Sequence, residues 1–458
     1  MIRRPPGPKN YLYLSNLIGM HSNRLRFVQR LAREYGEINY AQIGGMDVYF
    51  LHRPDDVRDV LVTHDRLFTK GYALQQAKVL LGEGLLTSEG ALHQKQRRLM
   101  QPAFHHERIA GYARTMVELS EAMMTRWKDG AEIDIHAEMM HLTMQIVGQT
   151  LFGKAIFAEA NDISESMDAF MRQFPRLMNP LRPILDALPL PGTLRWRKAQ
   201  GILDKFIGET IKERRATGED RGDLLSMLLS AQDAEGDGTG MNDRQVRDEV
   251  MTLFLAGHET TANALTWTWY LLGQYPEVEQ KVHEEIEAVL GGRTPSFGDV
   301  PKLTYLRQVF SESMRVYPPA WIIGRRAIAD VEIGGYTIPK RAIVIVSPYI
   351  VHHQAKYFPD PDKFDPSRWT KDAEQTRPKF AYFPFAAGSR SCIGEAFAWT
   401  EGILVLAAIA QRWKLNVLPG QKIGLLPMVT LRPDRPVRVR LEEQSESSAL
   451  REREPQLA

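Results

Sequence analysis

This sequence predicts a mainly α fold with a small β portion, on three observations. Helical periodicity dominates the 458 residues. One periodic stretch, from about Asp243 to Tyr275, is roughly thirty residues long and would cross a whole domain. Alternating, extended patterns are confined to two short hairpins centred on glycine pairs.

In chain order, residues 1–8 are proline-rich, Met1-Ile2-Arg3-Arg4-Pro5-Pro6-Gly7-Pro8. A hairpin follows, Ile38 to Ile43, the turn Gly44-Gly45, and Val48 to Leu51. Helices are expected at Gln94 to Leu99 and onward, Ile109 to Trp127, and Met139 to Leu151. The long helix opens at Asn242 with Gln245 three positions on, as a capping box requires, and stops at Pro276. Further helices read Pro276 to Leu290, Leu303 to Tyr317 and Gly394 to Arg412, and a second hairpin joins Val331-Glu332-Ile333 to Tyr336-Thr337-Ile338 through Gly334-Gly335. Residues 443–458 are polar and expected to be a disordered tail. With no internal repeat and no long linker, a single domain over 1–458 is expected.

With 43% hydrophobic and 25% charged residues the chain can bury a large core, and a net charge of +2 points to neither nucleic acid nor an anionic membrane as main partner. The absence of a long apolar run or a secretory leader gives the expectation of a cytoplasmic protein with no transmembrane anchor. One cysteine excludes an intrachain disulfide, a four-cysteine cluster and a covalent Cys-x-x-Cys-His haem.

That cysteine lies in Phe383-Pro384-Phe385-Ala386-Ala387-Gly388-Ser389-Arg390-Ser391-Cys392-Ile393-Gly394, just before an alanine-rich helix. Free N–H groups and the positive dipole end at a helix start favour a thiolate, a soft metal ligand. Gly388 and Gly394 would allow a tight turn close to a flat ligand, Phe385 could cover the sulfur, and Arg390 could meet an anion. Without context, a lone cysteine is as readily an inert, buried hydrophobe.

Inside the long helix, Met251 to Leu255 gives way to Ala256-Gly257-His258-Glu259-Thr260-Thr261. Ala256 and Thr260 share a face, where a small residue makes room for a cofactor and a hydroxyl can hold dioxygen or water. Glu259 is then the acid that feeds protons inward, because splitting dioxygen consumes two. The plainer alternative is a threonine bonded back to the carbonyl four residues earlier beside a solvated glutamate. Glu312 and Arg315, three apart, can pair on one helix face.

Together these segments resemble the cytochrome P-450 superfamily, soluble bacterial members in particular. Phe385, Gly388, Arg390, Cys392 and Gly394 fill the haem-binding signature, with Ala386 where the family usually has glycine; that departure is read as one added methyl near the loop. The segment Ala256 to Thr261 matches the oxygen-activation motif, and Glu312, Arg315 and Arg368 match a structural ion network. The resemblance implies the triangular helical prism of that family, with haem between the long oxygen-binding helix and the cysteine-loop helix. Cys392 is then the axial iron ligand, Thr260 and Glu259 the acid–alcohol pair, and His93, Arg97, Arg390 and Arg325, with Arg326 as its competitor one residue on, contacts to the haem carboxylates. His283, His352 and His353 read as surface or core histidines, since no zinc-ligand spacing appears.

By the same resemblance, the chain is a haem-thiolate monooxygenase using noncovalent haem b and O2. Thiolate ligation favours O–O cleavage. The chain shows no Gly-x-Gly-x-x-Gly turn and no flavin domain, so NAD(P)H acts only indirectly, through a reductase with a ferredoxin or flavodoxin. Lys95 and Arg98 are candidates for steering such a partner. Leu74 to Leu86, Phe170 to Leu190, Leu253, Ala256, Ala320-Trp321-Ile322-Ile323 and Met428-Val429 are expected to line a pocket for a hydrophobic substrate, a fatty acid or terpenoid, with motif style closer to fatty-acid hydroxylases. Two competing readings are a non-catalytic haem gas sensor and a thiol-dependent redox enzyme using Cys392.

Overall fold

The computed structural model describes residues 3–9, 15–153, 188, 190–233, 235–236 and 238–444. The expected pocket segment Phe170 to Leu190 and residues 445–458 of the expected tail lie almost wholly outside these. Glu443 itself closes a strand, Arg438–Glu443.

The long helix runs Asp243–Leu272, 30 residues. The Gln245 N–H donates to the Asn242 side chain at 2.9 Å and the Asn242 N–H donates to the Gln245 side chain at 3.0 Å, the reciprocal cap its spacing predicts. It ends three residues short of Tyr275. A residue before proline is pushed out of the helical region, and Tyr275 sits at φ −129°, ψ 75°. The helix packs against Ile135–Phe152, Pro191–Thr217, Thr304–Val316 and the cysteine-loop helix Glu395–Ala410. Burial of its apolar side chains, worth ~1.5–3 kcal/mol each, supplies the stability that helix propensity alone does not.

Both hairpins form where the glycine pairs predict. Gly44 and Gly45 stand at φ 55° and 79°, Gly334 and Gly335 at φ 64° and 82°, as a turn matched to the strand twist demands. The main sheet has the order β1-β2-β8-β5-β3, from β1 (Ile38–Ile43), β2 (Met46–Leu51), β8 (Ile343–Val346), β5 (Ile323–Ala327) and β3 (Phe68–Lys70). The second strand of the first hairpin thus starts two residues earlier than read. β6 (Val331–Ile333) pairs with β7 (Tyr336–Ile338), and β4 (Glu132–Asp134) joins β12 (Arg438–Glu443) and β9 (Trp413–Val417). β10 (Leu425–Pro427) and β11 (Leu431–Pro433) form a separate hairpin against the long helix.

Helices Ser15–Ser22, Arg24–Tyr35, Tyr72–Leu81, Pro191–Thr217 and Leu224–Ser230 were not anticipated. Pro191–Thr217 is 27 residues with many Arg and Lys, and its buried stripe is thin: Ala199, Leu203, Ile207 and Ile211, four apart.

Candidate active site

The cysteine loop is held from both ends. His352, a buried core histidine, accepts the Phe383 N–H at 3.1 Å. Within the loop Ala386 N–H donates to Phe383 O at 3.1 Å, Ser391 N–H to Gly388 O at 3.1 Å, and Cys392 N–H to Phe385 O at 2.9 Å. Gly388 is at φ 72°, and a Cβ there would lie 1.9 Å from the Leu61 carbonyl oxygen, so it serves the packing of the loop on Asp59–Thr63. Gly394 has nothing closer than Phe104, 3.7 Å from an added Cβ. The Phe385 ring packs on Trp399 at 5.9 Å. Ala386 is at φ 58°, so its departure from glycine bears on backbone conformation rather than on space for a methyl.

Cys392 retains surface that water can reach, yet loss of hydration pushes its thiol up to about 11. The Gly394 N–H, Arg97 and Lys70 act in the direction expected of a helix start, but desolvation and Glu395 outweigh them. A thiolate at this position would therefore need a neighbouring cation beyond what the helix terminus supplies.

Beside it is a cluster of cations. Lys70, on β3, stands in register with Arg325, on β5. Both are buried, and like charges directly opposite on a sheet repel. Burial holds the Lys70 amine well below its ordinary range and lowers Arg325 to about 10, each helped by neighbouring arginines. Arg97 donates to Ser391 O at 2.8 Å and Ser391 Oγ at 3.1 Å. His93 is buried on the same helix, Gly90–Met100, and desolvation drives its pKa to about 3, so it stands neutral. Arg390 donates to Ser88 O at 2.7 Å and forms an ion pair with Glu89. Among the described residues Glu89 is the one carboxylate ion-paired to Lys70, Arg97, Arg325 or Arg390. The expected carboxylate contact Arg390 is thus already neutralised, and Lys70, not singled out from sequence, joins the set. A buried excess of positive charge beside a metal-competent thiol fits a flat iron cofactor bearing carboxylates.

Across the site, every residue from Asp248 to Trp269 is buried except Ala256, Gly257 and Thr260. A Cβ on Gly257 would come 3.0 Å from Val147, so Gly257 serves helix packing; Ala256 and Thr260 are the pair left open on one face. Thr260 donates to Ala256 O at 2.7 Å, the back-bond of the plainer alternative, but the hydroxyl oxygen keeps lone pairs free to accept. Glu259 is not solvated. It is fully buried, and its Oε1 accepts from Arg432 Nε at 2.6 Å and from the Thr430 hydroxyl.

Glu312 and Arg315 form a fully buried bidentate pair, both contacts 2.8 Å, joined by Arg368 at 3.3 Å and by Trp369 Nε1 at 2.9 Å. Arg315 also donates to the carbonyls of His352, Pro361 and Lys363. The network ties Thr304–Val316 to the segment that leads into the cysteine loop, as a structural role requires. Of the expected pocket residues, Leu253 is buried while Ala320, Ile322, Ile323, Met428 and Val429 are half-buried. The expected steering cations are engaged elsewhere: Arg98 holds the buried Asp233 at 2.7 and 3.0 Å and Lys95 donates to Thr239, so they do not form a free docking patch. Lys70, Glu89, Thr430 and Arg432 escaped sequence reasoning because only strand register and long-range pairing reveal them.

The chain matches the family model described as Cytochrome P450 over residues 5–439. It is 41% identical to "Cyclooctatin synthase" of Streptomyces melanosporofaciens, with 87% of each chain covered. It is 39% identical to "Cyclooctat-9-en-7-ol 5-monooxygenase" of the same organism, covering 92% of this chain and 94% of the relative. To "Pentalenene oxygenase" of Streptomyces avermitilis it is 34% identical, with 91% and 92% covered.

Proposed function

We propose, from the premise that the chain belongs to the cytochrome P450 family, that it inserts one oxygen atom into a terpenoid. As a cytochrome P450 monooxygenase it takes haem as cofactor and O2 as co-substrate, acts on a hydrophobic compound and draws electrons from a redox partner. Terpenoid rather than fatty acid is the substrate class favoured by the names of the relatives, against the impression left by motif style. Noncovalent haem b, a ferredoxin or flavodoxin with an NAD(P)H-dependent reductase, and a cytoplasmic setting complete the proposal. Among the described residues no helix is long and apolar enough to cross a membrane.

Haem bound through a cysteine thiolate supplies the cleavage of O2 and the insertion of oxygen. Cys392 would ligate the iron within the signature formed by Phe385, Gly388, Arg390 and Gly394. Arg97, His93, Arg325 and Lys70 would hold the carboxylates, with Arg390 braced by Glu89. Ala256 leaves room on the long helix, Thr260 offers a hydroxyl to the pocket, and Glu259 relays protons behind it. Leu253, Ala320, Ile322, Ile323, Met428 and Val429 would enclose the substrate and exclude water. The observation that carries the reading is the convergence of Cys392 with the buried cations, supported by the packing of the long helix, with its open Ala256–Thr260 stripe, on the cysteine-loop helix.

The first test is the carbon monoxide difference spectrum of the reduced protein. A strongly red-shifted Soret band is expected in the wild type and lost in Cys392→Ser; no such band in folded, haem-supplied wild type would refute thiolate ligation. A panel of cyclic terpenes and fatty acids, with a surrogate reductase system, then tests the substrate class.

A further inference from the structure

Glu89 stands at the N-cap of Gly90–Met100, in extended backbone, yet its side chain makes no capping bond to that helix. It reaches three other elements instead. Oε1 accepts the Lys70 N–H of β3 at 2.6 Å and Gln75 Nε2 of the helix Tyr72–Leu81 at 2.8 Å, and Oε2 forms the ion pair with Arg390 of the cysteine loop. Arg390 is occupied on both arms of its fork, because Nη1 donates to Ser88 O at 2.7 Å. The Glu89 and Arg390 side chains are only 22% and 14% exposed, so water screens the pair weakly.

The charge of Glu89 acts beyond this pair. Burial, with neighbouring arginines, holds Lys70, Arg325 and Arg390 below their ordinary range, and Glu89 pulls each of them back up. A carboxylate among these cations is chemically the same group that haem would bring to them. A guanidinium fork grips a carboxylate best when both its arms are free, and neither arm of Arg390 is free.

We infer that Glu89 is an internal competitor of the cofactor: it occupies Arg390 in the cofactor-free chain and contends with a haem carboxylate for that arginine in the loaded one. This rests on haem as the cofactor. Arg97, Lys70 and Arg325, which are ion-paired to no carboxylate among the described residues, then supply the main grip, and Arg390 is a shared partner whose hold Glu89 weakens. Competition and a merely structural clasp have opposite signs. A clasp that only fastens the cysteine loop to β3 and to Tyr72–Leu81 would, once broken, loosen the cofactor; a competitor, once removed, tightens it.

The test measures haem loss to an excess of a scavenger protein from haem-loaded wild type, Glu89→Gln, Arg390→Gln and the double variant, and follows denaturant unfolding of the cofactor-free chains. Glutamine keeps the acceptor for Lys70 and Gln75 but turns the oxygen that faces Arg390 into a donor. Glu89→Gln is expected to slow haem loss by about tenfold, the worth of one freed charge-assisted bond, while lowering the denaturation midpoint of the cofactor-free chain. In the Arg390→Gln background the same change leaves haem loss as it was. Reconstitution with the dimethyl ester of haem, which carries no carboxylate, removes the difference between wild type and Glu89→Gln. Unchanged or faster haem loss in Glu89→Gln would make the carboxylate a structural clasp and overturn the inference. Slowing that persists without Arg390 or with the ester, or an unmoved midpoint in the cofactor-free chain, would overturn it too. A wild type that takes up no haem would remove both this inference and the proposed function, whereas the other negative outcomes leave that function standing. If Glu89→Gln does not fold, Glu89→Asp, which draws the charge back from Arg390, decides the matter: haem loss slower by about twofold or more supports competition, and equal or faster loss refutes it.

Discussion

Ala386 stands at φ 58°, in the left-handed region where a Cβ costs about 1–2 kcal/mol. Glycine there relieves that strain but gives the unfolded chain more freedom, worth about 0.4–1 kcal/mol in the opposite sense. Ala386→Gly is therefore expected to stabilise the chain by about 0.5–1 kcal/mol, measured as a higher denaturation midpoint at unchanged slope; a lower midpoint would show that the loop is not strained at this residue. Cys392, Thr260 and Glu259 could be singled out from residue type and spacing, because ligand and proton chemistry are properties of the side chains. Their states could not. Desolvation pushes the Cys392 thiol up to about 11, and Arg432 and Thr430 hold Glu259.

Among elements, the loop Gly82–Ser88 depends on two carboxylates of the long helix: Asp248 accepts the Glu83 N–H and Glu249 the Leu85 N–H, at 2.9 and 2.8 Å. Glu249 is fully buried, and desolvation, aided by Asp248, raises it to about 8 against the Leu85 bond. A carboxyl whose folded value is raised binds its proton more tightly when folded, so its stabilisation is complete below about pH 4.5 and is lost as pH climbs through about 8. Stability is expected to fall over that window, and Glu249→Gln, which keeps the acceptor and removes the charge, should flatten the fall. Melting curves from pH 5 to 9 check this; an unchanged pH slope in the variant would assign the fall to another group. The long helix, its cap and both hairpins were legible because periodicity, capping and glycine pairs act between near neighbours in sequence. Pro191–Thr217 was not, since a mostly polar helix is held by packing against other elements rather than by its own pattern.

Over the whole molecule, the cation cluster draws Lys70 and Arg325 from two strands of the sheet, Arg97 from the helix that also carries the neutral His93, and Arg390 from the cysteine loop. Without a bound anion these charges oppose folding; with one they become its grip. Arg325→Gln and Lys70→Met are each expected to stabilise the cofactor-free chain by about 1–3 kcal/mol while weakening haem retention by about tenfold. Unfolding of the cofactor-free chain and haem loss to an excess of a scavenger protein measure the two signs; loss of stability in the cofactor-free variants would show that the cations are satisfied within the chain. By itself the sequence determined the fold class and the family resemblance, and it singled out the Cys392 loop and the Ala256–Thr261 break in the long helix, because each is written in local spacing and side-chain chemistry. Only the tertiary structure decided that Lys70 faces Arg325, that Glu89 neutralises Arg390, and that Arg432 holds Glu259. Such pairings join residues from one end of the chain to the other, and strand register and the cost of burying charge select them.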